Sequence, residues 1–256
     1  KAENNVRGES EFHGNRGPLQ VSEQKAPRPI SKAYIDACNN AQLKSNLDFN
    51  SGDNEGVGFW QSTIFHSWGK NGERCSSSTA YLLPFLEKRP NLEIITKAHA
   101  TKILFEEKRA IGILYNKGRQ AKKIYAEKEI IIAAGTFKTP HLLQLSGVGN
   151  AEDIQRHNIK IIHDLPGVGQ NLQDHIDFTL SYKTRDRDTL GLSVGGILKI
   201  IGETFKWFKH GNSMISSTLS ESGSFIKTDP SLNRPDIQNH FVMAASHRLA
   251  TWSPCW

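Results

Sequence analysis

The residues best suited to bind a cofactor lie where an apolar run meets a glycine. Residues 129–134 have the sequence Glu-Ile-Ile-Ile-Ala-Ala, and Gly135 and Thr136 follow directly. The run predicts a buried strand, and the small residues at its end leave the main chain uncovered. A ligand could therefore approach the backbone at Ala134 and Gly135 closely, so we predict a cofactor site at this corner.

A helix is predicted to follow the corner. Thr139 is a good N-cap, Pro140 suits the first helical position because it lacks an N–H group, and Gly147 suits a left-handed end. The start of a helix carries unpaired N–H groups and a partial positive charge, which together attract anionic groups. The helix would therefore favour a cofactor that carries negative charge.

Five strands are predicted in the middle of the chain. They are Leu92–Thr96, Lys102–Glu106, Ala110–Tyr115, Lys122–Tyr125 and Glu129–Ala134. The second, third and fourth are joined by links of hairpin length, which predicts an antiparallel meander. The first and fifth are more continuously apolar, as is typical of strands buried on both faces of a parallel sheet. The predicted fold class is α/β, and α+β over the whole chain.

Elements outside this region are also predicted from periodicity. A helix is expected over residues 31–42, with Ser31 as its cap and an apolar set recurring every three or four residues. Near the other end, residues 235–242 predict a strand on which His240 and Phe241 face opposite sides. If this strand lines a substrate cavity, these two residues are the candidates for contacting the substrate.

A long amphipathic helix is predicted before that strand. Its apolar residues recur at intervals of three or four and comprise Leu190, Val194, Ile197, Ile201, Phe205 and Phe208. Lysines at positions 199, 206 and 209 lie along its edge. Packing against the protein core is the default interpretation, and contact with a membrane surface is the alternative.

Composition limits the classes of function. The 256 residues are 37% apolar and carry a formal net charge of +6, enough apolar content for a sizeable core. The densest basic cluster, Lys117–Lys123, is better explained as a solvated turn than as a nucleic-acid site, so no nucleic-acid partner is expected. Three cysteines are too few for a disulfide framework, and no metal-binding histidine array is present. The expected location is the cytoplasm, with peripheral contact at the inner membrane left open.

Two motifs carry a family resemblance. The spacing Gly135-Thr-x-x-Thr-Pro-x-x-Leu-Leu-x-x-Ser-Gly-Val-Gly149 resembles the second signature of the glucose-methanol-choline (GMC) family of flavin oxidoreductases. The block Asp164-Leu-Pro-Gly-Val-Gly169-Gln-Asn-Leu-Gln-Asp-His175 is similar to the segment that follows it in that family. The whole resemblance covers roughly residues 11–245 and is greatest to the bacterial choline and alcohol dehydrogenase branch.

The resemblance implies FAD as the cofactor and assigns its contacts. By analogy with the family, the main chain of Ala100 would pair with the adenine edge, and Ala134, Gly135 and Thr136 would lie beside the dinucleotide. It also implies part of a Rossmann-like FAD-binding domain with an inserted antiparallel meander, over residues 89–175. Loop-rich cap or substrate-domain elements are expected in residues 1–88, and part of a substrate domain with an antiparallel sheet and helices in residues 176–256.

The activity that the resemblance implies is oxidation of a CH–OH group. Choline or a primary alcohol would be oxidised to the aldehyde, hydride would pass to the flavin, and electrons would pass to a quinone or other acceptor. The alternative is a non-catalytic module, derived from such an enzyme, that binds a partner or a membrane surface. The two interpretations differ in whether the surrounding gene encodes the remaining parts of an enzyme.

Two family features are missing from the sequence. The chain has no Gly-x-Gly-x-x-Gly fingerprint for the flavin pyrophosphate, and it begins with Lys1. The distal histidine and its histidine or asparagine partner, which handle the alcohol proton in the family, are not recognisable, and residues 248–256 match nothing expected. We therefore expect an internal fragment that has no catalytic residue of its own and that neither holds FAD tightly nor turns over.

Overall fold

The computed structural model describes residues 2–66, 72–182, 184 and 194–243. The chain divides into two compact units, the first formed by residues 1–90 and 179–256 and the second by residues 91–178. Leu190, predicted to lie on the amphipathic helix, and residues 248–256 fall outside the described residues. Each unit is described separately below.

The described part of unit 1 contains two sheets and three α-helices. Its strands are β1 (Glu3–Asn5), β2 (Leu19–Val21), β3 (Gly56–Phe59), β9 (Ser222–Ile226) and β10 (Ile237–Phe241). Its helices are α1 (Pro29–Asn40), α2 (Ser77–Tyr81) and α5 (Val194–His210), with 3₁₀ turns at Leu83–Phe85 and Met214–Ser216. The strands β1 and β2 pair in parallel, whereas β9 lies between β10 and β3 in an antiparallel sheet.

Helix α1 covers one face of the three-stranded sheet. The Tyr34 ring stacks on Phe241 with centroids 4.7 Å apart, and its hydroxyl lies 3.3 Å from Ser224 Oγ. Because side chains alternate along a strand, Ser222 and Ser224 face α1 while Gly223 and Phe225 face the other side. One face of the sheet therefore packs against α1, and the opposite face is available to form a site.

The predicted start of α1 was wrong by two residues. The helix begins at Pro29, which occupies the first helical position, and Arg28 is the N-cap. Ser31 is not a cap; it is fully buried, and its hydroxyl donates to Glu221 Oε2 at 2.8 Å. The backbone N–H of Arg28 donates to the same carboxylate oxygen at 2.7 Å. The helix is thus capped by a residue from a distant segment.

Unit 2 contains the predicted meander. Its strands β4 (Ala98–Glu106), β5 (Arg109–Lys117) and β6 (Gln120–Tyr125) form one antiparallel sheet, and β7 (Val148–Gly149) pairs in parallel with β8 (His163–Asp164). Two helices follow the meander, α3 (Gly135–Leu145) and α4 (Ala151–Arg156). The meander prediction is confirmed. It could be made from the sequence because each strand pairs with the next through a short turn.

The two outer strands predicted for a parallel sheet are not formed. Residues 92–96 and 129–134 lie in no strand of the described structure, and Ile131 is 79% exposed. An apolar run becomes a strand only when a neighbouring strand satisfies its backbone groups, and neither run has such a neighbour here. The two runs have the apolar composition of strands, but unit 2 contains no neighbouring strand with which either run pairs.

Helix α3 begins earlier than predicted. It starts at Gly135 rather than after Thr139, so Pro140 lies inside the helix. Pro140 lacks the N–H that would bond to the carbonyl of Thr136, and because Thr136 is exposed, water can take that place. The predicted left-handed end is confirmed at Gly147, which has a φ of +93°.

Helix α5 does not bury its apolar face in a core as predicted. Its large apolar side chains are mostly exposed, although it is a 17-residue helix of the expected amphipathic type. None of the helices in the described ranges is both long enough and apolar enough to cross a membrane.

Candidate functional site

The predicted cofactor corner of unit 2 is open. Ala134, Gly135 and Thr136 are all exposed, and Gly135 has a φ of +80°, which favours glycine. A Cβ atom added at Gly135 would meet no atom within 4 Å, so the space beside this main chain is unfilled. The geometry fits a flat ligand lying against the backbone at the start of α3.

Ala100 lies on the edge strand of the meander. It pairs with Tyr115 of β5 just before a bulge, and its side chain is exposed. Three residues later, the N–H of Ile103 donates to Ser146 Oγ at 2.8 Å, and Ser146 Oγ in turn donates to the carbonyl of Leu142 at 2.6 Å. This buried serine fixes α3 against β4. The two elements that carry the predicted FAD contacts are therefore held together.

A second candidate site lies in unit 1, on the sheet face opposite α1. It is a cavity of about 300 Å³ whose wall includes three aromatic rings in mutual contact. Phe49 and Trp60 have ring centroids 4.5 Å apart, and each lies near Phe225, at 5.5 Å and 5.6 Å respectively. Polar side chains complete the lining, among them Arg7 and Asp48. Six of the eleven lining residues are polar or charged, so the cavity combines an aromatic wall with many hydrogen-bonding groups, and its size suits a small molecule.

The two predicted substrate residues lie on opposite faces, as the strand alternation required. His240 lies 5.7 Å from Trp60, centroid to centroid, on the side of the aromatic wall. Phe241 instead stacks on Tyr34 of α1. The strand residue that lines the cavity is Gln238, two positions before His240.

A buried histidine supports the polar side of the cavity. His13 Nε2 lies 2.8 Å from Asp48 Oδ2, and His13 Nδ1 lies 2.8 Å from Glu3 Oε1. The hydrogen bond to Asp48 raises the pKa of His13, against the opposing effect of burial, and Glu3 raises it further. Burial alone would raise the pKa of Asp48, but the hydrogen bond from His13 and the nearby Arg7 charge lower it. Both shifts favour an imidazolium between two carboxylates.

This histidine cluster predicts a stability optimum in mildly acidic solution. The contribution of His13 is complete below the ordinary histidine pKa of about 6.5 and is lost as pH rises through its raised folded value. The contribution of Asp48 is present above about pH 3.9 and is lost as pH falls through its lowered value. We therefore expect the free energy of unfolding to fall as the pH rises above about 6.5.

Urea unfolding at several pH values measures this effect. His13→Gln should remove most of the pH dependence in the alkaline range, because glutamine does not titrate. His157→Gln is the matched control, since His157 is exposed on the surface of unit 2. Equal alkaline losses in the wild type and in His13→Gln would contradict the assigned ion cluster.

Several of these cavity residues lie in no sequence pattern that would predict a site. Phe49, Trp60 and Phe225 come from separate segments. Arg7 forms an ion pair with Glu23 at 2.6 Å, and no local sequence pattern predicts this pair. Within the described ranges, no group of three His, Cys, Asp or Glu side chains is arranged to hold a metal ion. The described cysteines, Cys38 and Cys75, are free thiols.

Among solved structures, the fold of this chain is similar to that of flavin-dependent oxidoreductases. The chain is similar to an FAD-dependent oxidoreductase from Chaetomium thermophilum, with a TM-score of 0.73 and 26% identity, over 86% of this chain and 38% of that one. It is also similar in fold to pyridoxine 4-oxidase from Mesorbium loti, with a TM-score of 0.73 and 22% identity, over 94% of this chain and 42% of that one.

The chain belongs to the GMC oxidoreductase family, whose model matches residues 3–177. It is 41% identical over 245 residues to alcohol dehydrogenase [acceptor] of Pseudomonas putida, covering 94% of this chain and 43% of that protein. It is 36% identical over 243 residues to the mitochondrial choline dehydrogenase of Homo sapiens, covering 94% of this chain and 40% of that protein. The chain thus spans about two-fifths of the length of these relatives.

Proposed function

We propose that the chain is part of an FAD-dependent oxidoreductase that oxidises the CH–OH group of choline or a primary alcohol to an aldehyde. The observation that carries this proposal is the family match over residues 3–177, together with relatives named as alcohol and choline dehydrogenases. FAD, when bound, would supply the hydride acceptor, and a quinone or similar compound would take the electrons onward.

The proposed FAD contacts are Ala100, Ala134, Gly135 and Thr136. The unfilled space beside Gly135, its positive φ and the start of α3 directly behind it support a contact with an anionic dinucleotide. The buried Ser146 bridge supports a fixed distance between this corner and β4. On this proposal, unit 2 is part of an FAD-binding domain.

The proposed substrate site is the aromatic cavity of unit 1. Phe49, Trp60 and Phe225 would exclude water from the carbon skeleton of the alcohol, and the polar residues along the lining would orient its hydroxyl group. His240 lies beside Trp60 and is the nearer of the two predicted substrate residues. On this proposal, unit 1 is part of a substrate domain.

FAD binding by the purified chain tests the proposed corner. Binding is expected to be weak, and Gly135→Val should reduce it further, because a branched side chain disfavours positive φ and fills the open space. Gly118→Val is a matched control, since Gly118 also has a positive φ, +62°, and open space around it. Equal binding by both variants in equilibrium dialysis would refute the contact at Gly135.

The surrounding gene tests the proposed activity. An enzyme requires an upstream strand followed by Gly-x-Gly-x-x-Gly and a downstream proton-handling histidine, so both should be encoded in the flanking DNA. The complete reading frame, expressed with FAD, should then reduce a quinone analogue when choline or a primary alcohol is added. Flanking DNA that encodes neither element would favour the non-catalytic module instead.

We also propose a cytoplasmic location with peripheral association at the inner membrane. The support for it is the exposed apolar surface of α5, a helix that also carries three lysines. The same surface supports the alternative of a non-catalytic membrane-surface module. The flanking DNA distinguishes these two functions, because only the enzyme needs the additional elements.

A further inference from the structure

We propose that the aromatic cavity of unit 1 selects a polyol, a neutral primary alcohol with further hydroxyl groups, over a quaternary ammonium alcohol or a simple alkyl alcohol. The inference rests on the proposed function and adds to it the class of the substrate. Three lining residues carry it, and we call them the amide triad: Asn50, Asn54 and Gln238. Their side chains have no hydrogen-bond partner in the described part of the chain. The fourth amide of the lining, Gln61, differs because it bonds to Asn5 at 3.1 Å and 3.0 Å.

The loop that carries Asn50 and Asn54 is held together by other residues. Asn46 Nδ2 donates to the carbonyls of Asp53 and Glu55, at 2.9 Å and 3.0 Å. Asparagine in a loop commonly bonds to nearby backbone groups in this way. The side chains of Asn50 and Asn54 make no such bond in the described structure, although both line the cavity. These two amides are therefore available to a ligand.

The third amide is placed on the cavity side by strand pairing. Gln238 of β10 lies directly opposite Phe225 of β9, and residues opposite each other in a sheet share a face. Phe225 belongs to the aromatic wall, so the Gln238 side chain lies beside that wall. The next residue, Asn239, faces the other way and donates to Ser224 Oγ at 3.1 Å. The alternation along β10 thus presents Gln238 to the cavity.

The aromatic wall lies over two facing glycines of the sheet. Gly58 of β3 pairs with Gly223 of β9. A Cβ atom at Gly58 would stand 3.4 Å from Phe49 Cε2, and one at Gly223 would stand 2.2 Å from Trp60 Cζ2. Because these positions lack side chains, the two rings can lie against the strands. The wall is therefore part of the sheet architecture, and it can cover the C–H groups of a ligand.

The two charged residues of the lining are paired within the protein. Arg7 Nη1 lies 3.4 Å from Asp48 Oδ1. The other guanidinium nitrogens of Arg7 donate to Glu23 at 2.6 Å and 3.1 Å, and Asp48 Oδ2 bonds to His13 at 2.8 Å. Among the described lining residues, no unpaired carboxylate remains to neutralise a quaternary ammonium group. The lining therefore favours a neutral ligand.

The amide triad distinguishes between neutral ligands. Each amide offers two N–H donors and an acceptor oxygen, and each hydroxyl group of a ligand offers both a donor and an acceptor. A bound alkyl chain would remove the amides from water without replacing their hydrogen bonds, which costs free energy. Hydroxyl groups along the carbon skeleton would replace those bonds. At about 300 Å³, the cavity suits a polyol of a few carbon atoms.

Binding of erythritol and 1-butanol to the purified 256-residue chain tests the proposal. The two compounds have the same four-carbon skeleton and differ only in three hydroxyl groups, and choline is the cationic probe. Saturation-transfer difference NMR titrations measure the dissociation constants. Erythritol should bind about 10-fold or more tightly than either of the other probes. Added salt should leave its affinity unchanged, because the ligand is neutral.

Asn50→Leu combined with Asn54→Leu tests the amide triad. Leucine keeps the branched shape but has no hydrogen-bonding group, so the variant should lose about 10-fold or more of its affinity for erythritol. Its affinity for 1-butanol should stay the same or rise, whereas an unfolded variant would lose both. Asn116→Leu is the matched control, because Asn116 is exposed on β5 of unit 2, and it should bind both probes as the wild type does.

Three results would overturn the proposal. They are choline or 1-butanol binding as tightly as erythritol, no saturable binding of erythritol, and equal losses of erythritol affinity in the double variant and in Asn116→Leu. None of these results bears on FAD binding at Gly135 or on the flanking DNA. Conversely, flanking DNA without the enzyme elements would refute the oxidoreductase function and leave the polyol site intact. The two failures are therefore distinguishable.

Discussion

Gly223→Ala is expected to destabilise unit 1 by about 3 kcal/mol or more, because the added methyl group would clash with neighbouring atoms. A Cβ atom at this position would stand 2.2 Å from the carbonyl oxygen of Asn239 and 2.2 Å from Cζ2 of Trp60. Gly223 lies on the central strand β9, opposite Gly58 and His240 on its two neighbours. The clash can be relieved only by displacing β10 or the aromatic wall of the cavity.

Urea unfolding followed by tryptophan fluorescence measures this loss. Gly202→Ala is the control: Gly202 lies in α5 with no neighbouring atom within 4 Å of the added Cβ, so alanine should stabilise by about 0.5–1 kcal/mol. The two alanine variants should thus shift the unfolding midpoint in opposite directions. Similar midpoints for the two would show that the close approach at Gly223 does not exist in solution.

Glu221→Ala is expected to have an effect of similar size, a loss of about 3–5 kcal/mol. Glu221 is fully buried, and its Oε2 accepts hydrogen bonds from the Arg28 N–H and the Ser31 hydroxyl. One donor is the N-cap of α1 and the other lies in its first turn. Alanine would remove the buried acceptor that these two donors share and would add a cavity.

Two further variants separate these contributions at Glu221. Glu221→Gln keeps the shape and one acceptor oxygen, so its loss should be smaller than that of alanine. Glu55→Ala is the matched control, because Glu55 makes a surface ion pair with Lys227 at 2.9 Å and should cost less than about 1 kcal/mol. If Glu221→Ala and Glu55→Ala unfold at the same urea concentration, the buried cap is not a source of stability.

The sequence was sufficient where structure depends on near neighbours. The meander β4–β5–β6 was predicted correctly because each strand pairs with the next through a short turn. Similarly, the left-handed end at Gly147 follows from local backbone preference. Local rules therefore predicted the meander and the end of α3.

Features that depend on distant residues could not be read from the sequence. Ser31 has the composition of an N-cap, but Glu221 caps α1 from another segment, so the helix can begin at Pro29. The apolar runs at residues 92–96 and 129–134 look like strands, yet they lack partners. The aromatic lining of the cavity comes from separate segments around positions 49, 60 and 225, and no periodic pattern connects them.

The discontinuous chain path of unit 1 has a consequence for biosynthesis. Strand β3 can pair with β9 only after the ribosome has completed residues 222–226, whereas unit 2 becomes available in one uninterrupted stretch. The amino-terminal segment must therefore wait, with Val57 and its neighbours unprotected, until the later strand emerges. A nascent polypeptide of this design therefore exposes apolar surface until synthesis has passed β9.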